Sequence, residues 1–345
     1  MATIKILDGG LGTSLEDKYG VKFDHSRPLW SSDLLVSDPS TLLSCQRDFA
    51  TAGADVVLTA TYQVSLEGFA GTPTLEFPSG IPSGAVPRFL ETAVDVAERA
   101  AAGAALALSC GPYGACMVPG QEYSGRYDGA HDGEAALAAW HLERLRLYDE
   151  SFLVSPSGPR LQYVAFETLP RLDEIRAVRK AFAAVDGGVF PGRFWIACVF
   201  PGDDEKLPDG STVEQAVEAM LGPLDGGSKP WGIGINCTKL HKIQGLVKRF
   251  EDAVTGLVQR GVVKEAPALV LYPDGTNGEV YNTTTKIWEA PAGFENDEVP
   301  KVPWEDSLAE IVQRSKERAV FTSFLVGGCC KANHENIKAL RSSLM

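Results

Sequence analysis

Eight short apolar runs, separated by stretches of helical period, constrain this 345-residue chain more than any other feature. The runs are IKILD, DVVLTAT, ALALSC, YVAFET, FWIACVF, WGIGINC, ALVLYP and SFLVGGC, and each predicts a buried strand. Between most of them lie segments rich in helix formers, such as PSTLLSCQRDFATAG, FLETAVDVAERAAAG, AALAAWHLERLRLYDESFL, RLDEIRAVRKAFAAV and STVEQAVEAML. The alternation predicts an α/β fold, a (β/α)8 TIM-type barrel forming a single domain over residues 1–345. Such a barrel takes roughly 250 residues, so the surplus is expected as loop insertions on the C-terminal face. Two insertions stand out by composition, Gly71 to Pro87 and Met117 to Glu134, and a third stretch without clear period runs from Asn282 to Trp304. An open doubly wound sheet is the alternative, disfavoured by eight units and by the lack of a G-x-G-x-x-G phosphate fingerprint.

The formal net charge of -13 opposes broad attraction to nucleic-acid phosphates or anionic lipid, which leaves small-molecule chemistry as the expectation. The first residues, MATIKILDGGLGTSLED, carry one lysine and a brief apolar run, unlike a signal peptide or membrane span. A cytoplasmic location is therefore expected. In that compartment thiols stay reduced, so the seven cysteines predict packed, metal-binding or reactive thiols rather than a disulfide framework.

In a barrel of this type catalytic side chains project from the C-terminal ends of the strands. Cys237 ends the sixth predicted strand, while Cys329 and Cys330 end the eighth, so three sulfurs converge over the mouth. At the same level stand Asp8, Thr59, Thr61, Ser109, Glu167, Thr168 and Asn236. A cysteine closing a buried strand also serves as a small packed hydrophobe, the reading given to Cys45, Cys110, Cys116 and Cys198. Cys237, Cys329 and Cys330 differ by following glycines, which let other groups approach closely. Three thiolates suit Zn2+ and leave a fourth position for a substrate thiol, held as thiolate near neutral pH. His25, His131, His141, His241 and His334 have no paired ligand in the sequence and are read as solvated or packed.

The ordered segments DGGLGTSLE, GADVVLTATYQVS, SCGPYGA, EYSGRY, FETLP, GINCT and VGGCC, from Asp8 to Cys330, resemble the homocysteine S-methyltransferase family. The resemblance implies a zinc-dependent barrel with Cys237, Cys329 and Cys330 as ligands and no catalytic residue beyond the metal site. It also implies that Asp8, Gly9 and Gly10 receive the amino-acid end of homocysteine, that Glu167 pairs with its ammonium, and that Asn236 supports the metal ligands. Asp8 and Glu167 have structural alternatives as a helix cap and a strand-end residue. TATYQVS and GPYGA resemble the branch that uses sulfonium donors, S-methylmethionine or S-adenosylmethionine, with Thr61 and Tyr62 on the donor side. Aromatic faces such as Tyr62 and Tyr113 hold any onium group, so a betaine-using enzyme stays open as an alternative. So does a non-catalytic zinc-binding or thiol-sensing barrel.

Overall fold

All eight expected strands form, in a computed structural model that describes residues 2–24, 27–148, 153–155, 158–185, 190, 192–276, 279–282, 284–285, 287–289 and 302–345. They are β1 (Thr3–Ile6), β2 (Val56–Leu58), β3 (Ala105–Cys110), β4 (Tyr163–Leu169), β5 (Phe194–Cys198), β6 (Gly232–Asn236), β7 (Ala268–Tyr272) and β8 (Ser323–Val326). Every pairing in the sheet is parallel, in the order β1-β8-β7-β6-β5-β4-β3-β2. A parallel bridge between Leu7 and Val56 joins the two edges and closes the barrel.

The main helix after each strand is α1 (Pro39–Thr51), α2 (Val86–Ala101), α3 (Glu134–Arg146), α4 (Leu172–Ala183), α5 (Val213–Leu221), α6 (Leu240–Gln259), α7 (Trp304–Arg318) and α8 (His334–Leu344), with shorter helices over Leu11–Tyr19 and Leu34–Ser37 ahead of α1 and over Leu66–Ala70 ahead of α2. Local chemistry sets several of their starts. Asp38 accepts from the Thr41 N–H ahead of Pro39, and capping boxes open α5 (Thr212 with Gln215) and α8 (Asn333 with Asn336). The third predicted helix stops at Arg146, and residues 149–152 of that expectation lie outside the described residues. Most of the stretch from Asn282 to Trp304 also lies outside them, as does His25. Its described residues up to Glu289 belong to a short hairpin pairing Val280–Asn282 with Ile287–Glu289, and Val302 to Trp304 lead into α7.

Strand periodicity divides the core in two. Val164 and Phe166 on β4, Phe194 and Ile196 on β5, and Leu106 and Leu108 on β3 join the large cluster between sheet and helices. Their alternates, Tyr163, Ala165, Trp195, Ala197 and Ala107, fill the barrel interior with Val270, Tyr272 and Leu325. Large residues inside one strand require small ones opposite. On β6 a side-chain carbon at Gly232 would stand 2.8 Å from the Val270 side chain, and one at Gly234 would fall on the Val270 carbonyl. Continued by two residues, the same alternation brings Glu167 of β4 and Asn236 of β6 to the top of the interior.

Gly234→Ala should therefore lower stability by about 3 kcal/mol or more, because the added methyl meets backbone that cannot rotate away. Denaturant unfolding of the purified protein measures this, with a midpoint equal to that of the parent as the contrary result.

Candidate active site

A cavity lies over the C-terminal ends of the strands, with about 1200 Å3 of empty space when the part open to solvent is counted. The three cysteines meet there, with all their sulfurs within 4.8 Å of one another. Cys237 and Cys329 are joined as a disulfide with Cα atoms 5.5 Å apart, and Cys330 is free. The sequence predicts metal-binding or reactive thiols here rather than a disulfide framework, and this one pairing joins two of the three expected ligands. Both β6 and β8 pair with β7, so their ends lie two strands apart on one rim, and the residues that follow them carry the sulfurs together.

Glycines make this junction possible. A side chain on Gly9 would collide with the Ala332 carbonyl, and one on Gly10 would come within 2.5 Å of the Cys329 carbonyl. The β8 loop thus packs directly on the end of β1. The Gly10 N–H, expected to face a substrate carboxylate, donates instead to Ala332 O at 2.8 Å.

On the β6 side, Thr168 (φ 59°) and Cys237 (φ 46°) both have left-handed backbones, which cost non-glycine residues energy. The Asn236 amide holds them together. Its Oδ1 accepts from the Thr168 N–H at 2.8 Å, and its Nδ2 donates to Thr168 Oγ1 at 2.7 Å and to Cys237 Sγ at 3.4 Å. Burial pushes the Cys330 thiol up to about 12, so in the absence of a cation it keeps its proton.

The same rim carries buried carboxyl groups. Asp8 Oδ2 accepts from the Leu58 N–H at 2.8 Å, whereas its buried Oδ1 has no partner. Burial raises Asp8 well above the ordinary carboxyl range, and the charge of Glu167 adds to the shift. Glu167 accepts from the Ser109 hydroxyl and is hydrogen-bonded to Tyr272, yet burial still raises it to about 7. The described lining holds three carboxyl groups, Asp8, Glu122 and Glu167, and one cation, Arg27, which donates to Asp33 at 3.0 Å. Such a cavity attracts cationic ligands.

Tyr62 and Thr59 line the cavity, and the Tyr62 hydroxyl is hydrogen-bonded to Thr168. Thr61 corrects the expectation of a donor-side contact. It is fully buried away from the cavity, with its hydroxyl donating to Ser109 O at 2.8 Å and 2.6 Å from Thr59 Oγ1. Tyr113 is likewise outside the lining, stacked on His131 and bonded to Asp128. His334 Nε2 lies 3.3 Å from Lys18 Nζ, and His141 is buried against Glu174, so neither joins the sulfur cluster.

Of the two insertions expected over this face, the second reaches the cavity through Met117 to Gly120, Glu122 and Tyr123, while the first contributes nothing to the lining. Sequence reasoning placed that insertion over the mouth but assigned no role to Glu122 or Tyr123. Their signal was the EYSGRY segment itself.

The raised Glu167 carboxyl predicts a pH-dependent stability. A folded value near 7 against an ordinary 4.5 means that its contribution is full below about pH 4.5 and is lost as pH rises through about 7. Glu167→Gln has no such slope. In the metal-free, ligand-free protein, the variant should gain on the parent by about 2 to 3 kcal/mol in unfolding free energy between roughly pH 5 and pH 8. A constant difference across that range would show that Glu167 does not titrate in this way.

Comparison with known proteins agrees with this architecture. The family model described as Homocysteine S-methyltransferase matches residues 5–344. Homocysteine S-methyltransferase 1 of Arabidopsis thaliana is 30% identical over 349 residues, covering 98% of this chain and 93% of its own. Homocysteine S-methyltransferase of Escherichia coli is 30% identical over 343 residues, covering 98% and 94%. The crystal structure of the metallated form of the E. coli homocysteine methyltransferase MmuM superposes with a TM-score of 0.68 at 25% identity, covering 98% of this chain and 96% of that one. With sequence, family model and barrel in agreement along nearly its whole length, the chain belongs to the homocysteine S-methyltransferase family.

Proposed function

We propose that this protein transfers a methyl group from a sulfonium donor, S-methylmethionine or S-adenosylmethionine, to the sulfur of L-homocysteine, giving methionine. The observation that carries the reading is one cavity in which three cysteine sulfurs face two buried carboxyl groups, Asp8 and Glu167. A thiol amino acid presents both matching features, a sulfur and an ammonium.

The donor set fits zinc once the Cys237–Cys329 disulfide is reduced. Three soft sulfurs lie within 4.8 Å, and an ion with Zn–S bonds of about 2.3 Å requires sulfurs about 3.8 Å apart. Cys330 is buried enough to stay neutral without a cation, so metal binding and thiol deprotonation are coupled. Cys237, Cys329 and Cys330 would hold the ion, which when bound keeps the homocysteine sulfur as a thiolate near neutral pH. A reducing cytoplasm is the setting we propose, because it maintains all three as thiols.

The chain's own groups do the rest. The orphan Oδ1 of Asp8 and the carboxyl of Glu167 receive the substrate ammonium, and Asn236 donates to Cys237 Sγ and fixes its loop. The homocysteine sulfur attacks the donor methyl in line. The new S–C bond forms as the old one breaks, its electron pair passing to the sulfonium sulfur, which leaves as a neutral thioether. No proton is moved at the leaving group, so orientation is the main contribution of the walls. Residues 1–345 act as one domain in this reading, since a single sheet draws strands from Thr3 to Val326.

The reduced, zinc-supplied protein should form methionine from homocysteine much faster with S-methylmethionine than with betaine, with S-adenosylmethionine intermediate. Methionine formed at matched donor concentrations is the measurement, and betaine outpacing both sulfonium donors would reject the donor assignment. The same preparation should hold about one zinc per chain. Zinc retained at that level in a Cys237→Ala, Cys330→Ala double variant would remove the cysteines as its site.

A further inference from the structure

Glu122 is a buried carboxylate with no assigned task. It is 7% exposed, lies in the loop between β3 and α3, and lines the same cavity as the sulfur cluster. Its Oε2 has no hydrogen-bond partner, and burial raises its carboxyl to about 7 with only its own backbone amide opposing the shift, so a bound cation would favour its ionised form. Glycines hold it in place. A side chain on Gly114 would meet the Glu122 nitrogen at 2.9 Å, and one on Gly120 would meet Oε2 at 2.5 Å. The turn is further fixed by Gln121 N–H donating to Gly114 O and Gly125 N–H donating to Gln121 O, each at 2.8 Å.

The surroundings are aromatic and anionic. Tyr62 and Tyr123 line the cavity with it, and burial raises both hydroxyls, with the nearby charge of Glu122 adding to each shift. Gln63, on the same lining, donates through Nε2 to Ala115 O at 2.8 Å and leaves its buried Oε1 without a partner. This wall therefore presents acceptors and π faces, which suit a cation. Glu122 comes from the loop after β3, whereas Asp8 and Glu167, which the homocysteine ammonium would occupy, come from the ends of β1 and β4.

We propose that Glu122 is the counter-charge for the positive onium centre of the methyl donor, and so a specificity-determining residue that favours the charged donor over its neutral thioether product. The proposal rests on the functional reading above and adds a residue to it. Its chemistry is distinctive. The sulfonium charge disappears as the methyl passes to the thiolate, so an anion beside it stabilises the bound donor more than the transition state. Loss of the charge then weakens donor binding without slowing the chemical step, and the neutral product feels no attraction.

The test compares the parent with Glu122→Gln in the reduced, zinc-loaded enzyme. The variant should show a donor KM for S-methylmethionine raised about tenfold or more, with kcat not lowered and the homocysteine KM within about twofold. Calorimetric titration without homocysteine gives a second reading. S-methylmethionine should bind Glu122→Gln about tenfold more weakly or worse, methionine should bind both proteins alike, and Glu122→Asp should recover part of the loss. Unchanged binding of S-methylmethionine, or equal losses for S-methylmethionine and methionine, would overturn the role of Glu122. Should the Gln variant fail to fold, Glu122→Asp decides by the same ratio of S-methylmethionine to methionine binding. A parent enzyme that makes no methionine from either sulfonium donor would instead overturn the functional reading itself.

Discussion

Closure of the sheet between Leu7 and Val56 is the contact on which the site depends. An open parallel sheet would leave β1, which leads to Asp8, at the far edge from β2, β3 and β4, whereas a closed one sets all eight strand ends around a single rim. Closure also demands that the interior be filled without collision. Trp195, Tyr163 and Tyr272 do the filling, and Gly232 and Gly234 on β6 are small because Val270 and its backbone occupy the space beside them. The same requirement continues to the rim, where Gly9 and Gly10 admit the loop that carries Cys329 and Cys330.

The rim is not a relaxed arrangement. Thr168 and Cys237 hold left-handed backbones, and Asp8, Glu122 and Glu167 keep carboxyl groups out of water with few partners. Each of these lowers stability in the ligand-free chain. The large apolar cluster between sheet and helices tolerates them, and the Asn236 amide confines the strained backbone by bonding both sides of it. Concentrating such features in one cavity is expected where ligands supply the missing charge and hydrogen bonds. The strained groups sit at strand ends and in loops: β4 and β5 stay in register through Phe166, and the shift between Phe166 and Leu169 falls on Glu167 and Thr168.

On the proposed reading the cavity's carboxyl groups divide by origin, Asp8 and Glu167 standing at the ends of β1 and β4 and Glu122 on the inserted loop after β3. A rigid strand suits a group that must meet the same amino-acid head each time, and a loop suits one that meets a variable donor. The sulfur cluster lies at the rim between β6 and β8, within electrostatic reach of Glu122.

How much was legible beforehand follows from the range of the interactions involved. Strand positions were readable because a buried parallel strand is a continuous apolar run, and ALALSC coincides with β3 residue for residue. The convergence of Cys237 with Cys329 and Cys330 was readable once eight alternating units implied a barrel, since strand ends then share one face. Other features were long-range and left no local trace. Thr61 and Thr59 lie two residues apart on one loop, and only the position of the Ser109 carbonyl decides that Thr61 turns from the cavity while Thr59 lines it. Glu122 reads as an ordinary loop glutamate until the fold seats it against Gly114 and Gly120 and removes it from water. By itself the sequence determined the barrel and the thiols at its rim, because periodicity and chain order are local properties. The tertiary structure alone decided which polar groups face the cavity and which lack partners, because burial and hydrogen bonding depend on residues distant in the chain.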